Sequence, residues 1–329
     1  MVSLEDIRAH NAQVSSAFPS GLVGLFVGAT SGIGAATLKA FAKNTRNPRA
    51  YFVGRSQEAA DQIIAECKGL NPEGEYIFIP ADVSLLRVVD EVCAQIKAKE
   101  RALNILCLSQ GVASLDRIET PEGIHLITAL IHYSRARFIT QLLPLVQRAS
   151  TIRRVLTVGA AGLEGPIDAS DFPALRVPFD KIRPHIASLL TLALEAMARK
   201  APEVSFIHDY PGAVNTPLTQ SMLGGSAAAA VGVEMPDDWM EPEESGERHL
   251  FLLTSGRYPA AGPSEGKNTL GAVKGVNGQA GSGVYSIGWD GECVPSETLE
   301  VLEVLREDGL VDKVWEHTEG EFARVTAIV

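Results

Sequence analysis

The chain is 329 residues long, 46% hydrophobic and 21% charged, which suits one large domain, or one domain with an appendage, around a buried core. Its net charge of −11 argues against a nucleic-acid partner, because a polyanion is held by an excess of Lys and Arg. No apolar run is long enough to span a bilayer and the polar N-terminus has no signal core, so the sequence predicts a cytoplasmic protein without a membrane partner.

The N-terminal segment 1–20 reads as a helical arm, with Ser3 and Asp6 spaced as a capping box. From Gly21 to about Gly212 short β-type runs alternate with longer helical ones. Strands are expected at Gly21–Gly28, Ala50–Gly54, Glu75–Pro80, Leu103–Leu108, Arg154–Val158 and Val204–His208. Helices are expected at Gly34–Lys43, Gln57–Leu70, Leu85–Lys99, Glu122–Arg148 (kinked or shortened by Pro144) and Ile186–Lys200. This order means βαβ units with right-handed crossovers and a doubly wound, Rossmann-type parallel sheet with helices on both faces. The core of this domain spans 21–220.

Residues 221–329 read as a substrate-side extension of the same domain. Leu223–Asp238 is rich in Gly and Ala before turning acidic, Glu244–Leu253 is helical, and Gly256–Gly283 loops widely. Gly283–Trp289 alternates like a last strand, and Ser296–Arg306 and Gly309–Thr318 are closing helices. The four cysteines, Cys67, Cys93, Cys107 and Cys293, show no metal-ligand spacing and no disulfide framework, so no metal is expected and a reducing compartment fits.

The strongest motif is Gly28-Ala29-Thr30-Ser31-Gly32-Ile33-Gly34, directly after a strand and opening a helix. Its glycines permit a tight turn and let a pyrophosphate approach the backbone N–H groups at the helix start. An ordinary strand-to-helix turn is the plain alternative, and three glycines at this spacing within a βαβ frame argue against it. Strand two ends Gly54-Arg55-Ser56 with no carboxylate. An acidic residue there grips the ribose of NAD, whereas Arg55, with the Ser56 hydroxyl, suits a 2′-phosphate, so NADP(H) is the expected cofactor.

With these residues the chain resembles the short-chain dehydrogenase/reductase superfamily. Asp82-Val83 matches the family's adenine-contacting pair. Ser109-Gln110-Gly111 stands where the family reads Asn-Ala-Gly, and Pro211-Gly212-Ala213-Val214-Asn215-Thr216 matches its PGxVxT segment. The resemblance implies that Gly28, Thr30, Ser31, Gly32, Ile33, Gly34, Arg55, Ser56, Asp82, Val83, Ser109, Gly111, Pro211, Gly212, Val214 and Thr216 contact the cofactor. It also implies a small-molecule substrate and a homodimer or tetramer built through the long helices. Val204-Ser205-Phe206-Ile207-His208 before the Pro-Gly resembles fungal members tied to secondary metabolism.

The resemblance fails where the family keeps its acid. No Tyr-x-x-x-Lys occurs. Counting back from Leu192-Ala193-Leu194-Glu195 puts the Tyr slot at Pro178 or Phe179 and the Lys slot at Ile182 or Arg183. The serine slot falls on Gly159 or Ala160, and the asparagine slot near Ile131. His132, Tyr133 and Tyr210 are the candidate substitutes. Arg183 and His185 are weaker ones, while His249 and His317 read as surface or helix residues without a partner. Packing is the plain alternative for each of them.

Three functions fit. One is an NADP(H)-dependent oxidoreductase of a small hydrophobic, natural-product-like molecule, working without the Tyr/Lys acid; an iminium or conjugated acceptor needs less acid help than a ketone. The second is a redox-silent isomerase, dehydratase or cyclase reusing the pocket. The third is a non-catalytic cofactor sensor.

Overall fold

The computed structural model describes residues 1–112, 114, 116–223, 239–262 and 271–327. Most of the Gly/Ala-rich and acidic stretch read at Leu223–Asp238, and residues 263–270 of the glycine-rich segment, lie outside the described residues. Seven strands form one parallel sheet in the order β3-β2-β1-β4-β5-β6-β7. They are β1 (Val23–Val27), β2 (Arg49–Gly54), β3 (Glu75–Pro80), β4 (Ile105–Leu108), β5 (Arg154–Val158), β6 (Ser205–Asp209) and β7 (Val284–Ile287). The order reverses between β1 and β4, and in such sheets ligands bind at the carboxyl ends of the strands beside this crevice.

Strand side chains alternate between two cores because the pleat has a period of two. Leu25 and Val27 of β1 and Leu106 and Leu108 of β4 enter one core, while Phe26, Ile105 and Cys107 enter the other. The first core is closed by α5 (Leu86–Lys99), α7 (Ser134–Gln147) and α8 (Phe179–Lys200). The second is closed by α3 (Gly32–Asn44), α4 (Gln57–Leu70) and α10 (Pro242–Thr254). Two short helices, α1 (Leu4–Asn11) and α2 (Val14–Ala17), form the N-terminal arm. Ser3 caps α1 by accepting the Asp6 N–H, and Asn11 Nδ2 donates to the Glu247 backbone carbonyl, which ties the arm to α10.

Three elements differ from the sequence reading. The helix expected from Glu122 begins at Leu126 with the short α6 (Leu126–Thr128), then makes a π turn at Ala129–Tyr133 before α7. Glu122 instead accepts the Leu86 and Arg87 N–H groups with its carboxylate, capping α5 from outside. Helix α8 starts at Phe179 rather than Ile186, with Pro184 inside it. A proline in the first turns gives up only one intrahelical donor, so it does not mark the start. Upstream, the Asp171 carboxylate accepts the N–H groups of Leu175, Arg176 and Val177 and fixes the chain entering α8.

The closing helices are α11 (Ser296–Glu307) and α12 (Leu310–Thr326); the second runs eight residues beyond the Thr318 expected from the sequence. Helix α12 lies across α5, α7 and α8. Phe322 stacks under the Arg137 guanidinium at 5.0 Å, Lys200 sits over the Trp315 ring at 4.5 Å, and Arg87 donates to the Val325 carbonyl. Among the described residues no helix is long and apolar enough to cross a membrane, and no cluster of His, Cys, Asp or Glu is arranged to hold a metal.

Candidate active site

The glycine turn leaves β1 and enters α3 at the switch point. Gly28 and Ala29 both donate to the Val53 carbonyl of β2, which holds the turn beside the Arg55 end of that strand. Gly28 has φ +80°, and a Cβ there would lie 2.7 Å from the Gln110 backbone nitrogen. At Gly34 a Cβ would run into the Ser109 hydroxyl and the Gly28 carbonyl. Only glycine allows the ends of β1 and β4 this approach. Ser31 precedes α3 without its side chain closing on the first turn, and that turn carries no acidic residue. Its N–H groups have no intrahelical acceptor and the helix dipole is positive there, so the turn suits a phosphate.

Arg55 is exposed and makes no ion pair or hydrogen bond with any described residue. The Ser56 hydroxyl accepts the Ala59 N–H and caps α4. Asp82, after β3, holds the Ser84 N–H and hydroxyl on one carboxylate oxygen, and Val83 is buried. Arg55, Ser56 and Asp82 thus follow the carboxyl ends of β2 and β3, on the same edge as the glycine turn. The Arg55 guanidinium and the first-turn N–H groups of α3 suit the phosphates of a dinucleotide carrying an extra phosphate, and Asp82 can only accept from it.

A cavity of about 300 Å³ opens at the ends of β4, β5 and β6. Ile33, Ser109 and Gly111 line it on the turn side, with Pro211, Gly212, Val214 and Thr216 after β6. The Thr216 hydroxyl accepts the Thr219 N–H, starting the short α9 (Pro217–Leu223). The other wall is the apolar stripe Phe179, Ile182, Ile186 and Leu190 of α8, joined by Arg183. The sequence places Phe179, Ile182 and Arg183 at the Tyr and Lys slots; that Ile186 and Leu190 continue the same wall was missed, although the i, i+3, i+7 spacing was there to find.

Of the two positions read as the serine slot, Ala160 puts only a methyl in the lining and Gly159 is closed by sterics. A Cβ on Gly159 would lie 2.6 Å from His208 Nε2. That nitrogen accepts the Ala160 N–H, while Nδ1 meets the Thr191 hydroxyl, which donates to Glu164. Burial opposes the Glu164 charge, but contacts from His208, Ser286 and its own backbone outweigh this and hold its carboxyl below the ordinary range. Arg135, fully buried, donates to the Val158 and Gln110 carbonyls and so cross-links the ends of β5 and β4. Burial draws its pKa down to about 10.

The three catalytic candidates separate. Tyr210 lines the cavity; its ring lies 5.6 Å from the Arg183 guanidinium, and its hydroxyl bonds to no described residue. His132 and Tyr133 do not line it. They are buried against α12, His132 Nε2 at 2.8 Å from the Thr318 hydroxyl and the Tyr133 hydroxyl at 2.7 Å from His317 Nε2. Burial, reinforced by His317 and His185, pushes the His132 pKa down to about 3, and burial raises that of Tyr133.

Two readings of the remaining histidines are corrected. His317 has Tyr133 as its partner, and His249 is buried with Nε2 3.0 Å from Asp209. Burial opposes the His249 charge, but Asp209 and the Ser245 carbonyl outweigh it and raise its pKa. His185 accepts the Asp168 N–H and meets the Phe172 carbonyl, pinning the loop before α8.

The family model described as short chain dehydrogenase matches residues 23–132. The chain is 40% identical over 330 residues to the oxidoreductase AN1596 of Emericella nidulans, covering 97% of each chain. It is 30% identical over 345 residues to the short-chain dehydrogenase/reductase SAT2 of Stachybotrys chartarum, covering 97% of this chain and 96% of that one. Among solved structures it resembles the Pseudomonas aeruginosa RhlG/NADP active-site complex, with a TM-score of 0.55 and 20% identity over 74% of this chain and 93% of that one. The chain therefore belongs to the short-chain dehydrogenase/reductase family.

Proposed function

We propose that the protein is an NADP(H)-dependent oxidoreductase that reduces or oxidises a small hydrophobic, natural-product-like molecule without the family's Tyr/Lys acid. The observation that carries the reading is the glycine turn, sterically confined to glycine and ending on uncapped N–H donors, with Arg55, which pairs with no described residue, at the end of the neighbouring strand. It is supported by the naming of the relatives as oxidoreductases and by the NADP complex of a structural neighbour. When bound, NADPH supplies a hydride at its nicotinamide C4.

The chain's own residues would do the rest. The first turn of α3 would hold the pyrophosphate, Arg55 the 2′-phosphate, and the segment Pro211–Thr216 would shape the nicotinamide end. The stripe Phe179, Ile182, Ile186 and Leu190 would exclude water and orient an apolar substrate. Pro178, Phe179 and Ile182 carry no proton to give, and a guanidinium such as that of Arg183 is no general acid. Tyr210 is the remaining candidate donor in the lining. His132 and Tyr133 would act in packing.

General acid catalysis typically contributes about 10²–10⁴-fold, so plain ketones and aldehydes should be poor substrates. NADPH consumption should be faster with iminium or conjugated acceptors than with plain carbonyls, by roughly that range. Turnover of plain carbonyls at about 1–10³ per second, ordinary for enzymes, would contradict the reading. A redox-silent isomerase, dehydratase or cyclase is the second reading, favoured by the loss of the proton donor. Tight NADPH binding with no consumption by any acceptor would select it.

A further inference from the structure

We infer that Arg183 anchors the ligand and that the molecule taken up by the cavity carries an anionic oxygen group, a carboxylate or an acidic enol. This deepens the proposed function and rests on it only in taking this cavity as the substrate site.

The described lining contains two arginines and no carboxylate, in a chain whose net charge is −11. The two arginines differ. Arg135 is fully buried with both terminal nitrogens spent on the Val158 and Gln110 carbonyls. Arg183 is half-buried and makes no ion pair or hydrogen bond with any described residue. Its guanidinium lies 5.6 Å from the centre of the Tyr210 ring. Other shielded arginines of this protein are satisfied within the chain: Arg137 pairs with Asp90, Arg248 with Glu244 and Arg306 with Glu195, while Arg117 and Arg153 donate to backbone carbonyls.

A guanidinium keeps its charge across the working pH range. An apolar ligand filling the space beside Phe179, Ile182 and Ile186 would strip water from Arg183 and return nothing, which is unfavourable for a charge. A ligand carboxylate or enolate restores the lost hydrogen bonds, and the planar fork can hold both of its oxygens at once. The Tyr210 ring would steady one face of the guanidinium and leave its edge for the ligand. Cofactor phosphate is the other anion to consider. Its donors, the first turn of α3 and Arg55, lie on elements that do not include Arg183.

The test uses two probes with the same ring system, 1-naphthoate and the neutral 1-naphthylmethanol, titrated calorimetrically into the full chain with and without NADPH. Wild type should bind naphthoate roughly tenfold to a hundredfold more tightly, as expected for a hydrogen bond to a charged group. Arg183→Leu and Arg183→Gln should each bring naphthoate down to the affinity of the alcohol. Both should leave binding of the alcohol and of NADPH as in wild type, which also reports that the variants are folded. Equal affinity of wild type for the two probes, binding of neither, or a preference that survives in both variants would overturn the inference. So would loss of NADPH affinity in the variants, because the guanidinium would then serve a cofactor phosphate. Naphthoate selectivity without any NADPH binding would leave the inference standing and defeat the proposed function instead.

Discussion

The two halves of the cleft have kept different things. At the ends of β1 and β2 the proposed phosphate cradle is mostly backbone, with Arg55 its one charged side chain: Gly28 and Gly34 are fixed by collisions that any Cβ would cause, and no side chain caps the first turn of α3. At the ends of β5 and β6 and along α8, side chains should do the chemistry, and we propose that the family's acid is missing there, since no Tyr-x-x-x-Lys occurs in the sequence. His208 fills the space beside Gly159, and Phe179 and Ile182 make an apolar wall. A phosphate cradle built from main chain is bound into the fold and cannot drift without breaking the turn. An acid built from side chains can be exchanged while the same strands and helices persist.

The largest effect should come from attacking the backbone half. Gly32 has φ +54°, and its Cβ would lie 3.3 Å from the Thr216 side chain. Gly32→Val places a branched residue in a left-handed conformation against the phosphate face, and NADPH affinity should fall by more than about a hundredfold. Far-UV circular dichroism should remain that of wild type. Normal NADPH titration by this variant would erase the distinction between the two halves.

A smaller effect tests whether the helix carrying His132 belongs to packing rather than chemistry. The folded-state pKa of His132 is depressed to about 3, so below about pH 6.5 the unfolded chain takes up a proton that the folded chain refuses. Stability is therefore lost as pH falls through 6.5 and toward 3, by about 1.4 kcal/mol per pH unit from this group. His185 and His317 are lowered too and act in the same direction. His132→Asn should flatten the fall in unfolding free energy between pH 7 and pH 5 by roughly 2 kcal/mol and leave NADPH affinity unchanged. Equal slopes in the two proteins, or a loss of cofactor binding, would contradict the assignment of His132 to packing.

Much of the fold was legible because its signals are local. Glu75–Pro80, Gln57–Leu70 and Arg154–Val158 were bounded by residue type and periodicity alone, and the glycine turn fixed the switch point. The parts that were not legible depend on distant partners. His132 meets Thr318 and Tyr133 meets His317 across 186 and 184 residues, and no spacing in the sequence joins them. The same holds for His249, whose Asp209 partner lies on β6. The start of α8 was missed because Pro184 looks like a boundary, and the fixing contacts of Asp171 belong to the loop before it. On the site, the cofactor side was written in glycine spacing, whereas Arg183 stood out only because the described lining around it holds no carboxylate.

The central claim is that the nucleotide half still works and reads a 2′-phosphate. Fluorescence titration of the wild-type chain with NADPH and NADH tests it most directly. The account predicts that NADPH binds roughly tenfold to a hundredfold more tightly, and that Arg55→Ala removes most of this preference while leaving NADH affinity in place. Equal affinity of the wild-type protein for the two cofactors would contradict it.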